Sequence, residues 1–395
     1  MPDRSTLPRL AERAWHWLRP ASWRRLIARL AAVSVLLTAA AFAFLTLGLT
    51  PIAADEGHWP ITQRVLQYAM TRTVRMQSLD TSAPALDEPA LLLEAAGHYD
   101  TQCMPCHGAP GRTRARVVAQ MVPSPPYLAE VVDEWKPREL HWIVKHGIKY
   151  TAMPAWTSQK RDDEVWAMVA FLKRLPGLDA AQYDVLALGP LASAPHARDE
   201  LGLRNLRWPP VSIVDNCTRC HGVDGRGRGD IAIPPLAGQR EAYLLASLQA
   251  FARGERHSGV MQTVATGLDA AQMRALARHF ASLPRAPAAT AGAADAAARA
   301  RGASLAARGI GAQRIPACRH CHGPGADATN PLYPRLAGLP PRYLARQLRL
   351  FQQGQRGGTR YWQLMHRAAA SLDDRQIEDL ATYYATLGGD SLNDG

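Results

Sequence analysis

Residues 30–49 form an unbroken apolar run, interrupted only by Ser34, Thr38, Thr46 and Gly48 and carrying no charge. Twenty helical residues rise about 30 Å, the thickness of a bilayer's hydrocarbon core. Beyond that run the pattern changes. Apolar residues recur at helical spacing in three later stretches: Val165, Met168, Val169, Leu172 and Leu175; then Leu276, Phe280 and Leu283; then Ile377, Leu380, Ala381, Tyr384 and Leu387. Each set falls on one face of a helix. Ser371 with Asp374 offers a capping box ahead of the last one. No stretch alternates apolar and polar residues as a multi-stranded sheet requires. The expected class is all-α, with an N-terminal transmembrane helix ahead of a large helical head.

The three stretches belong to an internal repeat. Met153, Met261 and Met365 each stand 22 residues before the last apolar residue of their stretch, Leu175, Leu283 and Leu387. Upstream of each methionine lies a Cys-x-x-Cys-His motif, and the motif histidine precedes the methionine by 46, 40 and 43 residues. Each unit therefore reads as helix, motif, loop, helix, methionine loop, closing helix. The expected boundaries are 89–176, 209–284 and 299–388, with a connector over 177–208 and an Ala/Pro/Gly/Thr linker over 285–298. The second unit is anomalous, because Pro209-Pro210 leaves little room for an opening helix before Cys217.

Charge places the head. The chain has 395 residues and a net charge of +12. Seven arginines against Asp3 and Glu12 in residues 1–29 supply +5 of it. A basic flank stays in the cytoplasm, so residues 30–50 are expected to span a bacterial inner membrane once and to put the head in the periplasm. Trp15, Trp17 and Trp23 in the basic amphipathic segment suit an interfacial anchor. Ile52-Ala53-Ala54 loosely resembles a processing site, but the basic and apolar regions are both longer than in a cleaved signal peptide, so a retained anchor is expected. Residues 51–88 form a periplasmic juxtamembrane segment. Its His58–Met76 portion, with Trp59, Leu66, Tyr68 and Met70, suits a membrane-lying or partner-docking helix as well as a packed one. No nucleic-acid motif accompanies the positive charge, so no nucleic-acid partner is expected.

The six cysteines carry the chemistry. All belong to the three motifs: Cys103, Cys106 and His107; Cys217, Cys220 and His221; Cys318, Cys321 and His322. Two thiols on one helical turn can add across the two vinyl groups of a protoporphyrin while the adjacent imidazole reaches its iron. Zinc would need further thiols or histidines at finger or ribbon spacing. Three covalently attached c-type haems are expected, with six propionates to offset most of the remaining positive charge. Met153, Met261 and Met365 are the expected sixth iron ligands, since a thioether favours ferrous iron and closes the distal side. A buried core methionine is the plainer alternative for each. His257 and His366, next to the second and third methionines, are competing ligands. Met121 and Met168 fit less well. Pro234 and Pro334, in Pro-x-Leu-Ala-Gly strings, can offer a carbonyl to the free N–H of the motif imidazole, as Pro123 or Pro125 can in the first unit. Gly108, Gly222 and Gly323 are expected to release the chain from the motif turn.

On these motifs the chain resembles class I c-type cytochromes over about residues 89–388. Cys-His-Gly followed by residues 235–244 and 335–344, Pro-Leu-Ala-Gly-Gln-Arg-Glu-Ala-Tyr-Leu and Arg-Leu-Ala-Gly-Leu-Pro-Pro-Arg-Tyr-Leu, resembles the two-haem cytochrome c4 family. Phe251-Ala-Arg-Gly-Glu-Arg256 and Phe351-Gln-Gln-Gly-Gln-Arg356 extend the likeness. Cys-His-Gly-Ala-Pro-Gly at 106–111 and Met-Pro-Ala-Trp at 153–156 resemble membrane-anchored single-haem respiratory cytochromes. The resemblance implies three class I cytochrome c domains, the second and third packed about a pseudo-twofold, with Met261 and Met365 at the axial positions. It implies single-electron transport rather than catalysis. The expected placement is between a quinol-oxidising complex or periplasmic donor and a terminal oxidase, as carrier or bound subunit. A subunit accepting electrons from a periplasmic dehydrogenase is the alternative. A haem peroxidase or small-molecule reductase is the contrasting class, and would need one iron with an open distal side. Partners are then redox proteins and, through the N-terminal helix, lipid.

Overall fold

The structure, a computed structural model, describes residues 22–50, 52–53, 56–189, 213–229, 231–285, 296–323 and 330–388. Trp15 and Trp17 lie outside them. The chain divides into two compact units, Met1–Pro60 and Ile61–Gly395. In the first, helix α1 (Trp23–Thr46) is long and apolar enough to cross a membrane and has no buried residue. It begins seven residues before the apolar run because the intervening arginines are good helix formers. Thr38 and Thr46 donate to the carbonyls of Ser34 and Phe42, so neither hydroxyl is left unpaired on an apolar helix.

The second unit opens with α2 (Pro60–Gln77), which buries only Val74 and leaves Ile61, Val65 and Tyr68 exposed. Three helical groups follow. In the first, α3 (Pro89–His98) continues through a wide turn at Tyr99–Cys103 into the motif turn Met104–His107. Pro105 has no N–H to give to Thr101, and the hydrogen-bond ladder loosens there. Then come α4 (Pro137–His146) and α5 (Asp162–Arg174). Val165, Met168, Val169, Leu172 and Leu175 are all buried, as their spacing predicts; Phe171 is buried too, with the Tyr99 ring tilted against it at 5.1 Å. The stretch expected to be connector contains α6 (Ala180–Leu188), capped reciprocally by Asp179 and Gln182 and packed on α3 through the buried Tyr183.

The second group holds α7 (Ile213–His221), α8 (Glu241–Ala252), α9 (Gly259–Thr266) and α10 (Ala270–Ser282). The third holds α11 (Ala296–Arg308), α12 (Pro341–Gln352), α13 (Trp362–Ala369) and α14 (Asp374–Ala385). In the first and third groups the opening helix packs on the closing helix, α3 on α5 and α11 on α14. Gly302 allows the latter approach: a Cβ there would lie 2.1 Å from the carbonyl of Asp379. The cap of α14 differs from expectation. Asp373, not Ser371, accepts from the Gln376 amide at 2.8 Å and Gln376 returns the bond, so Asp374 is the first helical residue rather than part of the box.

The second group explains its own anomaly. Helix α7 has nine residues, of which the motif fills the last five, and its neighbours are α3 and α6 of the first group. An opening helix that packs on another group's surface does not need the length to span its own.

Candidate haem sites

Each motif sits on the last turn of a helix or on an isolated turn, which puts both cysteines and the histidine on neighbouring faces. Gly108 and Gly222 then turn the chain with φ of 71° and 81°, a region costly for a side chain, whereas Gly323 leaves at −104°. None of the six cysteines is in a disulfide. Burial pushes the Cys103 thiol up to about 12 and those of Cys217 and Cys318 to about 11, so none of these three is an activated thiolate.

The three motif histidines share one geometry. The Nδ1 of His107 lies 2.9 Å from the Pro126 carbonyl, that of His221 2.7 Å from Pro234, and that of His322 3.0 Å from Pro334. A carbonyl only accepts, so each Nδ1 carries the proton and each Nε2 keeps a lone pair. Pro234 and Pro334 act as the sequence suggests. In the first group the acceptor is Pro126 rather than Pro123 or Pro125, because the longer loop there moves the equivalent carbonyl to 19 residues beyond the histidine. Burial lowers the pKa of all three imidazoles, that of His322 to about 4, which favours the neutral form an iron needs.

One cavity of about 800 Å³ brings together eight of the twelve candidate residues: Cys217, Cys220, His221 and Met261 with Cys318, Cys321, His322 and Met365. Its walls are largely apolar. His257 also lines it, whereas His366 does not and instead gives its Nδ1 to the Phe351 carbonyl at 2.6 Å. Met168 is fully buried in the first helical core. Cys103, Cys106 and His107 follow α3, and Met153 is half-buried in the loop between α4 and α5, where its carbonyl accepts from Ile148 at 3.2 Å. These four lie outside the large cavity.

The cavity carries buried cations and unpaired donors that an anionic occupant would suit. Arg256 and Arg356 are 7% and 8% exposed, and among the described residues neither pairs with a carboxylate. Their guanidiniums lie over the Phe251 and Phe351 rings at 4.6 and 4.4 Å. They converge on Tyr243, to which Arg256 Nη1 donates at 3.3 Å and Arg356 Nη2 at 2.9 Å, while Arg256 also reaches Ser247 and Tyr343. Trp156 Nε1 and the Tyr384 hydroxyl, both lining the cavity, are buried without a partner. An apolar slot with buried cations and unpaired donors fits a porphyrin with ionised propionates. Among the described residues no three His, Cys, Asp or Glu side chains converge to hold a bare metal ion.

The second and third groups meet at this cavity. Gln239 Nε2 donates to the Arg335 carbonyl and its Oε1 accepts from the Arg335 amide, both at 2.9 Å, and Arg335 Nη1 donates to the Gly238 carbonyl at 2.7 Å. The end of the first Leu-Ala-Gly string is thus bonded to Arg335, the residue just before the second. Sequence reasoning had marked those strings and the terminal arginines as repeated text without giving the arginines a role. Trp156 and the wall residues Glu94 and His98 were missed, since nothing local says that they face another group's cavity.

Residues 90–172 match the family model of cytochrome c oxidase, cbb3-type, subunit III, and residues 211–284 match that of cytochrome c. The thiosulfate dehydrogenase electron acceptor of Thiomonas intermedia is 38% identical over 181 residues, covering 45% of this chain and 80% of that one. Its namesake from Stutzerimonas stutzeri is 34% identical, covering 44% and 79%. Cytochrome c4 of Pseudomonas aeruginosa is 33% identical over 172 residues, covering 43% and 83%.

Proposed function

Since the chain belongs to the cytochrome c4 family of class I c-type cytochromes, we propose that it is a membrane-anchored triheme member that accepts electrons from a periplasmic dehydrogenase. The chain is an electron-transfer cytochrome rather than an enzyme. The observation that carries the donor assignment is the 38% identity, over four-fifths of its length, to a protein named for accepting electrons from thiosulfate dehydrogenase. Of the two placements the sequence leaves open, the dehydrogenase is therefore the first reading. A terminal oxidase is the second, favoured by the match of residues 90–172 to an oxidase subunit.

Haem, when bound, supplies reversible one-electron chemistry at iron. The chain's own residues do the rest. Cys103, Cys106, Cys217, Cys220, Cys318 and Cys321 are the attachment points, and His107, His221 and His322 present neutral Nε2 atoms held by proline carbonyls. Met153, Met261 and Met365 would supply the remaining iron ligands, and a thioether there would keep the potentials high. Arg256 and Arg356 place two fixed cations beside the paired second and third sites. The match to cytochrome c4 extends over 172 residues, more than twice the 74 of residues 211–284, which favours a third domain over 299–388. The apolar α1, with the basic residues before it, supports a single inner-membrane anchor and a periplasmic head.

The test is stopped-flow mixing of the purified full-length protein with a periplasmic thiosulfate dehydrogenase and thiosulfate. Reduction of the haem bands within the enzyme's turnover time is expected. No reduction, with prompt reduction by a quinol-oxidising complex instead, would overturn the donor assignment.

A further inference from the structure

The first helical group presses on the second at two places, beside its motif and just before its methionine. On the motif side, α3 lies against α7 so closely that a Cβ on Gly97 would sit 2.8 Å from Cys220 Sγ. Asp100 pairs there with Arg219, a residue inside the second motif, at 2.9 Å. On the methionine side, Trp156 fills the space over Gly259, where a Cβ would lie 1.9 Å from the indole nitrogen. Glu164 accepts from Ser258 Oγ and the Gly259 amide, both at 2.6 Å, and Arg161 donates to the His257 carbonyl at 3.0 Å. Glu94, Ala95, His98, Trp156, Ala167 and Met168, all from the first group and all buried, complete the wall.

Among the described residues, corresponding positions in the other two groups are open. Two residues before the methionine stand Thr151, Gly259 and Gln363, of which only Gly259 is buried. Just before the second cysteine stand Pro105, Arg219 and His320, and only Arg219 is shielded. Cys321 is exposed, Tyr150 beside the Met153 loop is 91% exposed, and Leu364 beside Met365 is 52% exposed.

We infer that α3 and the Met153–Trp156 loop are a fixed cover over the second haem site, so that redox proteins meet this chain only at its first and third sites and the second is an internal relay. The inference rests on the haem-binding reading above. An electron entering at one end leaves the donor iron oxidised by one electron and the next iron reduced by one, with no bond made and no proton moved. Gly97 and Gly259 let the two groups approach closely, and the buried Asp100–Arg219 pair with the Glu164 and Arg161 hydrogen bonds ties them at that distance.

The holo, full-length protein in its reduced, diamagnetic state tests this. A soluble, inert gadolinium chelate relaxes nuclei in proportion to their access to solvent. The haem-edge and axial-methyl resonances of each site are assigned through the Met153→Leu, Met261→Leu and Met365→Leu variants. The second site is expected to relax at least threefold less than the first and third. Gly259→Leu, or Glu164→Gln should the leucine variant fail to fold, should raise it toward the others and speed amide exchange at residues 257–263 at least tenfold. Equal relaxation at all three sites, or no change in either variant, would overturn the cover. Haem content is measured separately, and fewer than three haems per chain would fault the haem reading while amide exchange still reports on the interface.

Discussion

Asp100 and Arg219 form a 2.9 Å ion pair across 119 residues of sequence. Asp100 is 4% exposed and also takes a bond from Arg112 at 2.7 Å and from the Tyr183 hydroxyl at 3.0 Å. One carboxylate thus ties the first motif's helix to α6 and to the second motif. Replacing it leaves the Arg219 guanidinium in a shielded site without its anion, while Arg112 keeps Asp184. Asp100→Asn is expected to cost on the order of 3 kcal/mol of stability. A double-mutant cycle with Arg219→Met, read by thermal unfolding, isolates the pair, and additive losses would mean that the two residues do not couple.

The axial assignments give separable changes in potential. Met365→His is expected to lower one midpoint by a sizeable part of the roughly 0.8 V range that axial ligands span, and to leave the first site unmoved. The near-infrared methionine-to-iron band should lose one of its contributions. Because His366 is held by the Phe351 carbonyl, Met365→Ala should open a coordination position rather than recruit His366. A bis-histidine spectrum in that variant would contradict the assignment.

Arg256 and Arg356 share Tyr243, so a change at one should be felt at both neighbouring sites. A fixed cation favours the less positive, reduced state. Arg356→Met is therefore expected to lower the second and third midpoints by on the order of tens of millivolts, with the first unchanged. Spectroelectrochemistry distinguishes this from a shift confined to the third site, which would mean that the arginines act independently.

Stability should fall in mild acid. His98 is 7% exposed and packs edge-on to Trp156 at 4.8 Å, and burial holds its pKa down to about 4 against an ordinary 6.5. Between those values the unfolded chain takes up a proton that the folded chain refuses. This group's contribution is whole above pH 6.5 and declines as pH falls toward 4, by at most about 1.4 kcal/mol per pH unit. His98→Leu should flatten the pH dependence of the unfolding midpoint over that window, and an unchanged slope would show that His98 titrates freely.

Much of this was legible in the sequence. The motif triplets, the 22-residue offset of each methionine and the apolar faces of α5, α10 and α14 all depend on local spacing, which the chain displays directly. The Pro234 and Pro334 carbonyls were legible for the same reason. What escaped depends on packing between groups. The space missing before Cys217 became intelligible only once α7 was seen on α3, and α6 lay unrecognised in the stretch read as connector because its apolar residues face another helix rather than a repeat partner. Trp156 reads as the tail of a methionine loop, and only Gly259 beneath it shows which cavity it serves.

The central claim is a non-catalytic electron carrier with three closed haem sites. A spectroscopic redox titration of the full-length protein, with haem quantified per chain and carbon monoxide added to the reduced form, tests it most directly. Three haems per chain, each with a methionine-to-iron band in the oxidised state and none binding carbon monoxide, are predicted. A site that binds carbon monoxide stoichiometrically, or a chain with fewer than three haems, would contradict the account and turn attention to His257 as an iron neighbour and to enzymatic chemistry at that site.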